Sequence, residues 1–131
     1  MKNHAFIIPV HIFKCGVLFC IGGTKDDFGK ILVKELEWPE LGADTIKDNT
    51  SGVTIGVAGD METAIWLPKY GDGLLVHECV HAAQRILSMH DVCDSEAEAY
   101  LVEYLFSNAR EEVMAMAKCK GGKGCKGGKG K

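Results

Sequence analysis

The chain has 131 residues, of which 47% are hydrophobic and 25% are charged, the composition of an ordinary globular protein with one domain. No apolar run approaches the roughly 20 residues of a membrane-spanning helix, so the sequence predicts no membrane partner. The last fourteen residues hold six of the fifteen Lys and Arg and none of the eighteen Asp and Glu. Residues 1–117 are therefore acidic, which argues against nucleic-acid binding by the main surface.

The cysteines and the N-terminal stretch indicate in which cellular compartment the protein works. Pro9, His11 and Lys14 interrupt the apolar N-terminal stretch, so it does not match a signal peptide. The six cysteines show no C-x-x-C pair and no zinc-finger spacing. Without a secretory signal we interpret them as free, partly buried thiols in a cytoplasmic protein.

Two strands are predicted at the start of the chain. AFIIPVHIF (residues 5–13) and VLFCI (residues 17–21) are rich in strand-forming residues, and Gly16 fits the turn between them. Pro9 cannot donate to a ladder of backbone hydrogen bonds, so the first strand is expected at an edge or at a bulge.

A helix is predicted next, over about residues 26–37. Thr24 can cap its start and Pro39 ends it. Its apolar residues recur at helical spacing: Phe28, Ile31, Leu32 and Leu36.

A hairpin and two more helices complete the domain. VTIGVA (53–58) and TAIWLP (63–68) predict the hairpin. Asp72 can cap a helix over about residues 73–89, and Asp94 or Ser95 can cap a long last helix that reaches about residue 117. This order predicts an α+β domain in which helices pack on a small, mostly antiparallel sheet.

The segment 118–131 is a Lys- and Gly-rich tail with no apolar surface to bury, and we predict that it is disordered. The folded domain is expected to cover residues 1–117. The tail can make weak, salt-sensitive contacts with phosphates, but it lacks aromatic residues to stack on bases.

The helix predicted over about residues 73–89 carries the candidate catalytic residues. In it, His77, Glu78 and His81 form the pattern H-E-x-x-H. Residues four apart lie on one helix face, so both imidazoles can reach one point, and Glu78 is placed beside it. The opposite face is apolar: Leu75, Val76, Cys79, Ala83, Ile86 and Leu87. The motif therefore predicts a zinc site on the polar face.

A catalytic zinc site needs a third protein ligand. Glu96 lies in the first turn of the last helix, where the helix dipole favours a carboxylate. A short loop would let that helix fold back and bring Glu96 opposite the histidines. Glu98 is the competitor, two residues further on, and Glu96 as a solvated or capping carboxylate is the alternative without function. His90, near the end of the helix that carries the motif, is poorly placed to turn back toward the two histidines and act as the third ligand.

HECVH followed by EAEAY resembles the gluzincin branch of the zincin metallopeptidases, in which a glutamate on a following helix completes the site. The resemblance implies one zinc ion per chain, with His77, His81 and Glu96 as ligands and Glu78 as general base. Many gluzincins have an aspartate four residues after the ligand glutamate. Tyr100 occupies that position here, as a packing residue or as a partner of a histidine.

The layout of the chain also resembles short metallopeptidase-like proteins of tailed phages and prophages, for which the compartment would be the host cytoplasm. The resemblance implies a minimal zincin core, a peptide or protein substrate, and TAIWLP as the edge strand of the cleft, although Trp66 is expected in the core. A small chain predicts a shallow, open cleft. The alternative is a non-catalytic phage accessory or interaction protein that keeps zinc for stability.

Overall fold

Residues 4–42 and 45–121 are described in the computed structural model of the chain. This part contains four strands and three helices, which confirms the α+β class: β1 (His4–Val10), β2 (Cys15–Ile21), α1 (Lys25–Leu36), β3 (Val53–Gly56), β4 (Thr63–Leu67), α2 (Asp72–Met89) and α3 (Ser95–Gly121).

The four strands form one mixed sheet in the order β1-β2-β4-β3. The β1–β2 and β3–β4 pairs are antiparallel, and the central β2–β4 pair is parallel. Parallel neighbours cannot be joined by a tight turn and need a crossover connection. The segment containing α1 and β3 provides this crossover connection. The sheet therefore contains one parallel pair in addition to its two antiparallel pairs.

The burial of the strands follows their place in the sheet. Every residue of β2 and β4 is buried, as expected for central strands with both faces covered. In β1, Ala5, Ile7 and Pro9 are exposed, which fits the edge position that Pro9 predicted. β1 is shorter than expected, because a single 3₁₀ turn (His11–Phe13) replaces its last three residues.

The helices cover the two faces of the sheet. One face packs on α1 and the segment that follows it, with a core made of Leu18, Cys20, Phe28, Leu32, Trp38, Ile46, Ala64 and Trp66. The other face packs on α2 and α3 and includes Phe19, Ile65, Leu75, Cys79, Ile86, Leu101 and Leu105. The core position expected for Trp66 is confirmed, and its indole nitrogen donates to the carbonyl of Gly22 (2.9 Å).

The first helix begins where the sequence predicted. The hydroxyl of Thr24 accepts from the backbone N–H of Asp27 (3.2 Å), and the Asp27 carboxylate accepts from that of Thr24 (2.9 Å). This reciprocal pair satisfies two backbone donors at the start of the helix. The hydrogen bonds of Thr24 hold the pKa of the Asp27 carboxyl below its usual value.

The start of α2 differs from the expectation. Gly71 is the N-cap, and Asp72 is the first helical residue. The Asp72 carboxylate accepts from the hydroxyl of Tyr70 and from Arg110 of α3 (3.3 Å). It therefore links two helices and is not the side-chain cap of its own helix.

The last helix is capped as predicted but is longer. The carboxylate of Asp94 accepts from the backbone N–H of Glu96 (2.9 Å). The helix continues to Gly121, so residues 118–121 of the segment expected to be disordered are helical. The remaining predicted tail, 122–131, lies outside the described residues.

Candidate active site

The two histidines of the motif lie on the outer side of α2. His77 and His81 are both exposed, and their ring centroids are 4.8 Å apart with the planes at 81°. Leu75, Cys79 and Ile86 are fully buried on the opposite side of the helix. The expected separation between an apolar face and a face that carries both imidazoles is confirmed except at Val76, which the sequence assigned to the apolar face and which is 38% exposed.

Glu78 does not share that exposure, although the sequence placed the whole motif on the polar face. Its side chain is only 5% exposed. Successive residues of a helix are rotated by about 100°, so Glu78 turns from the imidazoles toward β3. The Thr54 hydroxyl lies 2.7 Å from Glu78 Oε1 and 3.1 Å from its backbone carbonyl. This hydroxyl gives a buried carboxylate a hydrogen-bond donor.

The second oxygen of that carboxylate, Oε2, lies beside the backbone of Gly52. A Cβ atom at residue 52 would be 3.0 Å from Glu78 Oε2 and 2.9 Å from a methyl group of Leu67. A side chain at this position would crowd the carboxylate. Gly52 therefore allows the chain entering β3 to pass directly over Glu78.

Arg85, two turns after Glu78, fastens α2 to the β3–β4 hairpin. Its guanidinium donates to the carbonyls of Glu62 (2.9 Å), Val57 (3.2 Å) and Asp60 (3.1 Å) and to the hydroxyl of Thr63 (2.9 Å). A Cβ atom at Gly56 would be 2.1 Å from this guanidinium. The glycine leaves room for the arginine, which fixes the hairpin relative to the motif.

Together these groups line a cleft of about 390 Å³: Gly52, Val53, Thr54, His77, Glu78, His81 and Arg85. Thr54, Gly52 and Arg85 were missed by sequence reasoning. The alternation in VTIG places Thr54 on the face opposite Val53 and Ile55. That signal did not reveal which helix residue Thr54 would meet.

The edge of the cleft also needs correction. The sequence assigned the edge strand to TAIWLP, but β4 lies between β2 and β3. Within residues 4–42 and 45–121, β3 is paired with β4 alone. The strand beside Glu78 that can accept an added strand is therefore β3.

The structure does not bring Glu96 to the histidines. Glu96 is exposed, and it does not line the cleft. Glu98 lies two residues further around α3, on the side of the buried Leu101 and Leu105, and accepts from Gln84 of α2 (3.3 Å). Of the two carboxylates, Glu98 is the one that contacts α2. The assignment of Glu96 as a zinc ligand stays a prediction.

The other candidates from the sequence lie elsewhere. Tyr100 is 68% exposed and borders a groove with Ile12 and Phe13. His90 directs Nδ1 at the carbonyl of Ile86 (2.8 Å) and stacks on Phe13, which agrees with the expectation that it cannot turn back.

Zinc is implied by the resemblance to gluzincins, and the donors in the cleft fit it in part. Two adjacent, exposed imidazoles are ligands that zinc prefers. In the part of the chain that the structure describes, no group of three or more His, Cys, Asp or Glu side chains is placed to hold a metal ion. The two histidines therefore fit as zinc ligands, but the described residues place no third ligand beside them.

Cys79 follows Glu78 on the buried side of α2 and is a free thiol. Burial, and secondarily the charge of Glu78, raise the pKa of Cys79 to about 12. A thiol with such a pKa stays protonated near neutral pH and is a poor nucleophile. Cys15, Cys20 and Cys93 are also free, as predicted.

Comparison with protein families, with curated proteins and with solved structures gives no match to this chain. Among the described helices, none combines the length and the apolar character needed to cross a membrane.

Proposed function

We propose that this chain is a zinc-dependent peptidase in which His77 and His81 bind the metal and Glu78 is the general base. The observation that carries the proposal is the state of Glu78. Its carboxylate is buried, a hydroxyl from the neighbouring strand donates to it, and it lines the same cleft as the two exposed imidazoles. A site that only stabilised the fold would need no buried carboxylate next to its ligands.

The strand β3 provides a place for the substrate. Its outer edge can pair with an extended peptide by strand addition, in which backbone hydrogen bonds supply the affinity. Thr54 belongs to this strand and contacts Glu78. A peptide bound along β3 would therefore lie beside the base and the two imidazoles.

The reaction is the hydrolysis of a peptide bond. A zinc ion held by histidines supplies a water of lowered pKa and stabilises negative charge on the carbonyl oxygen. Glu78 takes one proton from the attacking water as the new O–C bond forms. It then gives that proton to the amide nitrogen as the C–N bond breaks, and the products are a carboxylic acid and an amine.

The third ligand is assigned through the resemblance. We propose Glu96, because it occupies the position of the gluzincin ligand glutamate, on the helix that packs against α2. Glu98 is the carboxylate that already contacts α2 through Gln84. The two residues lie on opposite sides of α3, so replacing each in turn separates them.

The proposal is tested by comparing wild-type protein with Glu78→Gln on a diverse peptide mixture, with new N-termini detected by mass spectrometry. Glutamine keeps the shape of the side chain but cannot accept the proton. We expect wild type to cleave and the variant to lose about 10²–10⁴-fold in rate. Zinc content measured on both proteins should be equal, because Glu78 is not a ligand.

Two controls complete this experiment. Chelator treatment followed by added zinc should remove and restore the cleavage by wild type. Equal cleavage by both proteins would identify a contaminating protease. Absence of cleavage by wild type, with zinc bound, would overturn the peptidase assignment.

A further inference from the structure

The contact between β3 and α2 gives the two oxygens of Glu78 different environments. Thr54 Oγ1 lies 2.7 Å from Oε1. Oε2 faces the backbone of Gly52, where even a Cβ atom would come within 3.0 Å. One oxygen is therefore occupied by a hydroxyl donor, and the other lies against the backbone of Gly52 in the cleft.

We propose that Thr54 is a positioning residue that holds Oε1 of Glu78, so that Oε2 is the oxygen that exchanges the proton during hydrolysis. The inference rests on the proposed peptidase function and adds to it a residue that the H-E-x-x-H motif does not contain. Thr54 acts through Glu78 and does not itself touch the reacting atoms.

The geometry supports positioning over simple packing. A carboxylate has two terminal torsional states of similar energy, and its outer torsion is broad. The Thr54 hydroxyl carries one proton and lies 2.7 Å from Oε1 and 3.1 Å from the backbone carbonyl of Glu78. The shorter contact, to Oε1, selects one orientation of the carboxylate plane. The donor is on an adjacent strand, so the orientation of the base depends on the position of β3.

This dependence connects substrate binding with the base. β3 is held against α2 by Thr54 and, through the hairpin, by Arg85. A peptide that pairs with the outer edge of β3 adds hydrogen bonds to the same strand. The strand β3 therefore sets both the pairing register of the bound peptide and the orientation of the Glu78 carboxylate.

The test uses a matched pair of variants. Thr54→Val keeps the branched shape and removes the hydroxyl, whereas Thr54→Ser keeps the hydroxyl. We expect Thr54→Val to lower kcat by roughly 10- to 100-fold, the value of one hydrogen bond to a charged group. KM should change by less than about twofold, because an orienting contact acts mainly on the chemical step. Thr54→Ser should restore most of kcat.

A second arm separates positioning from a general loss of structure. In the Glu78→Gln background, Thr54→Val should cause little further loss of activity, because the group that it orients has been replaced. Urea unfolding of wild type, Thr54→Val, Glu78→Ala and the variant with both substitutions should show a non-additive effect, because Glu78→Ala removes the acceptor of the Thr54 hydroxyl. If Thr54→Val does not fold, Thr54→Ala, which leaves room for a water at the carboxylate, takes its place.

Gly52→Ala tests the close approach of the Gly52 backbone to Oε2. Gly73→Ala is the control, since a Cβ atom at residue 73 would meet nothing within 4 Å. We expect Gly52→Ala to lower kcat and Gly73→Ala to leave it unchanged.

The outcomes distinguish this inference from the proposed function. Full kcat in Thr54→Val, with Glu78→Gln inactive, would overturn the role of Thr54 and leave the peptidase intact. If wild type cleaves nothing, the peptidase proposal fails. In that case additive unfolding energies would also overturn the claim that Thr54 holds Glu78, and non-additive energies would sustain it.

Discussion

The two sides of α2 differ in how firmly they are attached to the rest of the protein. On the side toward β3, Glu78 is bonded to Thr54, and Arg85 donates to four oxygens of the β3–β4 hairpin. On the outer side, His77 and His81 are exposed, as is Gln84, whose amide donates to Glu98 of α3 (3.3 Å). The same helix therefore presents one set of side chains fixed by the fold and another open to solvent.

This difference corresponds to two chemical tasks. A general base acts efficiently only when it is held within hydrogen-bond reach of the proton that it removes. Metal ligands need access to an ion from solvent, and they gain their order from the ion itself. The fold fixes the carboxylate and leaves the imidazoles accessible; the proposed function would use the first as the base and the second as metal ligands.

The largest expected effect concerns the outer side. His77→Ala or His81→Ala should abolish zinc binding measured by elemental analysis. A structural zinc site provides about 10–16 kcal/mol, so one of three protein ligands carries on average about 3–5 kcal/mol, or roughly 10²–10⁴-fold in affinity. His11→Ala, at an exposed histidine outside the cleft, is the control. Folded wild type that stays metal-free in excess zinc would refute the metal site.

The next prediction concerns the third ligand. Glu96→Ala should weaken zinc binding by roughly the same 10²–10⁴-fold, and Glu98→Ala should change it little. Competition with a fluorescent chelator measures both affinities. The reverse order would assign the ligand to Glu98, the carboxylate of α3 that contacts α2.

The side toward β3 is tested by stability. Arg85→Met keeps the aliphatic stem but removes the donors, so four oxygens of the hairpin lose a partner. We expect a loss of about 2–3 kcal/mol in the free energy of unfolding. Gln84→Ala, on the outer side, should stay within about 0.5 kcal/mol of wild type. Equal effects in urea unfolding would remove the distinction between the two sides.

The smallest effect is expected at the start of α2. The Tyr70 hydroxyl, and then Arg110, hold the pKa of the Asp72 carboxyl below its ordinary value. A group whose pKa is lowered in the folded state stabilises the fold above its unfolded pKa of about 3.9. That contribution is lost as the pH falls through the folded pKa.

Asp72→Asn should therefore melt slightly below wild type at about pH 7, and the difference should shrink as the pH falls below about 3.9 and vanish once the carboxyl is protonated in the folded state as well. A difference in melting temperature that is constant over this range would show that Asp72 acts through packing instead of charge.

Local patterns in the sequence were sufficient for most elements of the fold. The apolar runs predicted the strands β2 and β4, Thr24 predicted the cap of α1, and the spacing of His77 and His81 placed both imidazoles on one face. These features depend on residues within one or two turns of each other, and the physics that governs them is equally local.

Features that depend on contacts between distant segments were not predictable in this way. The parallel pairing of β2 with β4 places β3 at the edge, and this reversed the expected order of the hairpin strands in the cleft. The approach of Gly52 to Glu78 joins segments 26 residues apart. No pattern within either segment indicates the other.

The sequence by itself determined the motif, the helix that carries it and the apolar stripe that anchors this helix to the sheet, because residue types and helical periodicity are sufficient for each. Only the tertiary structure decided that Glu78 is buried, that Thr54 holds it and that Glu98 contacts α2 while Glu96 points to solvent. Burial and hydrogen-bond partners depend on which surfaces of separate elements meet, and that is set by the packing of the whole chain.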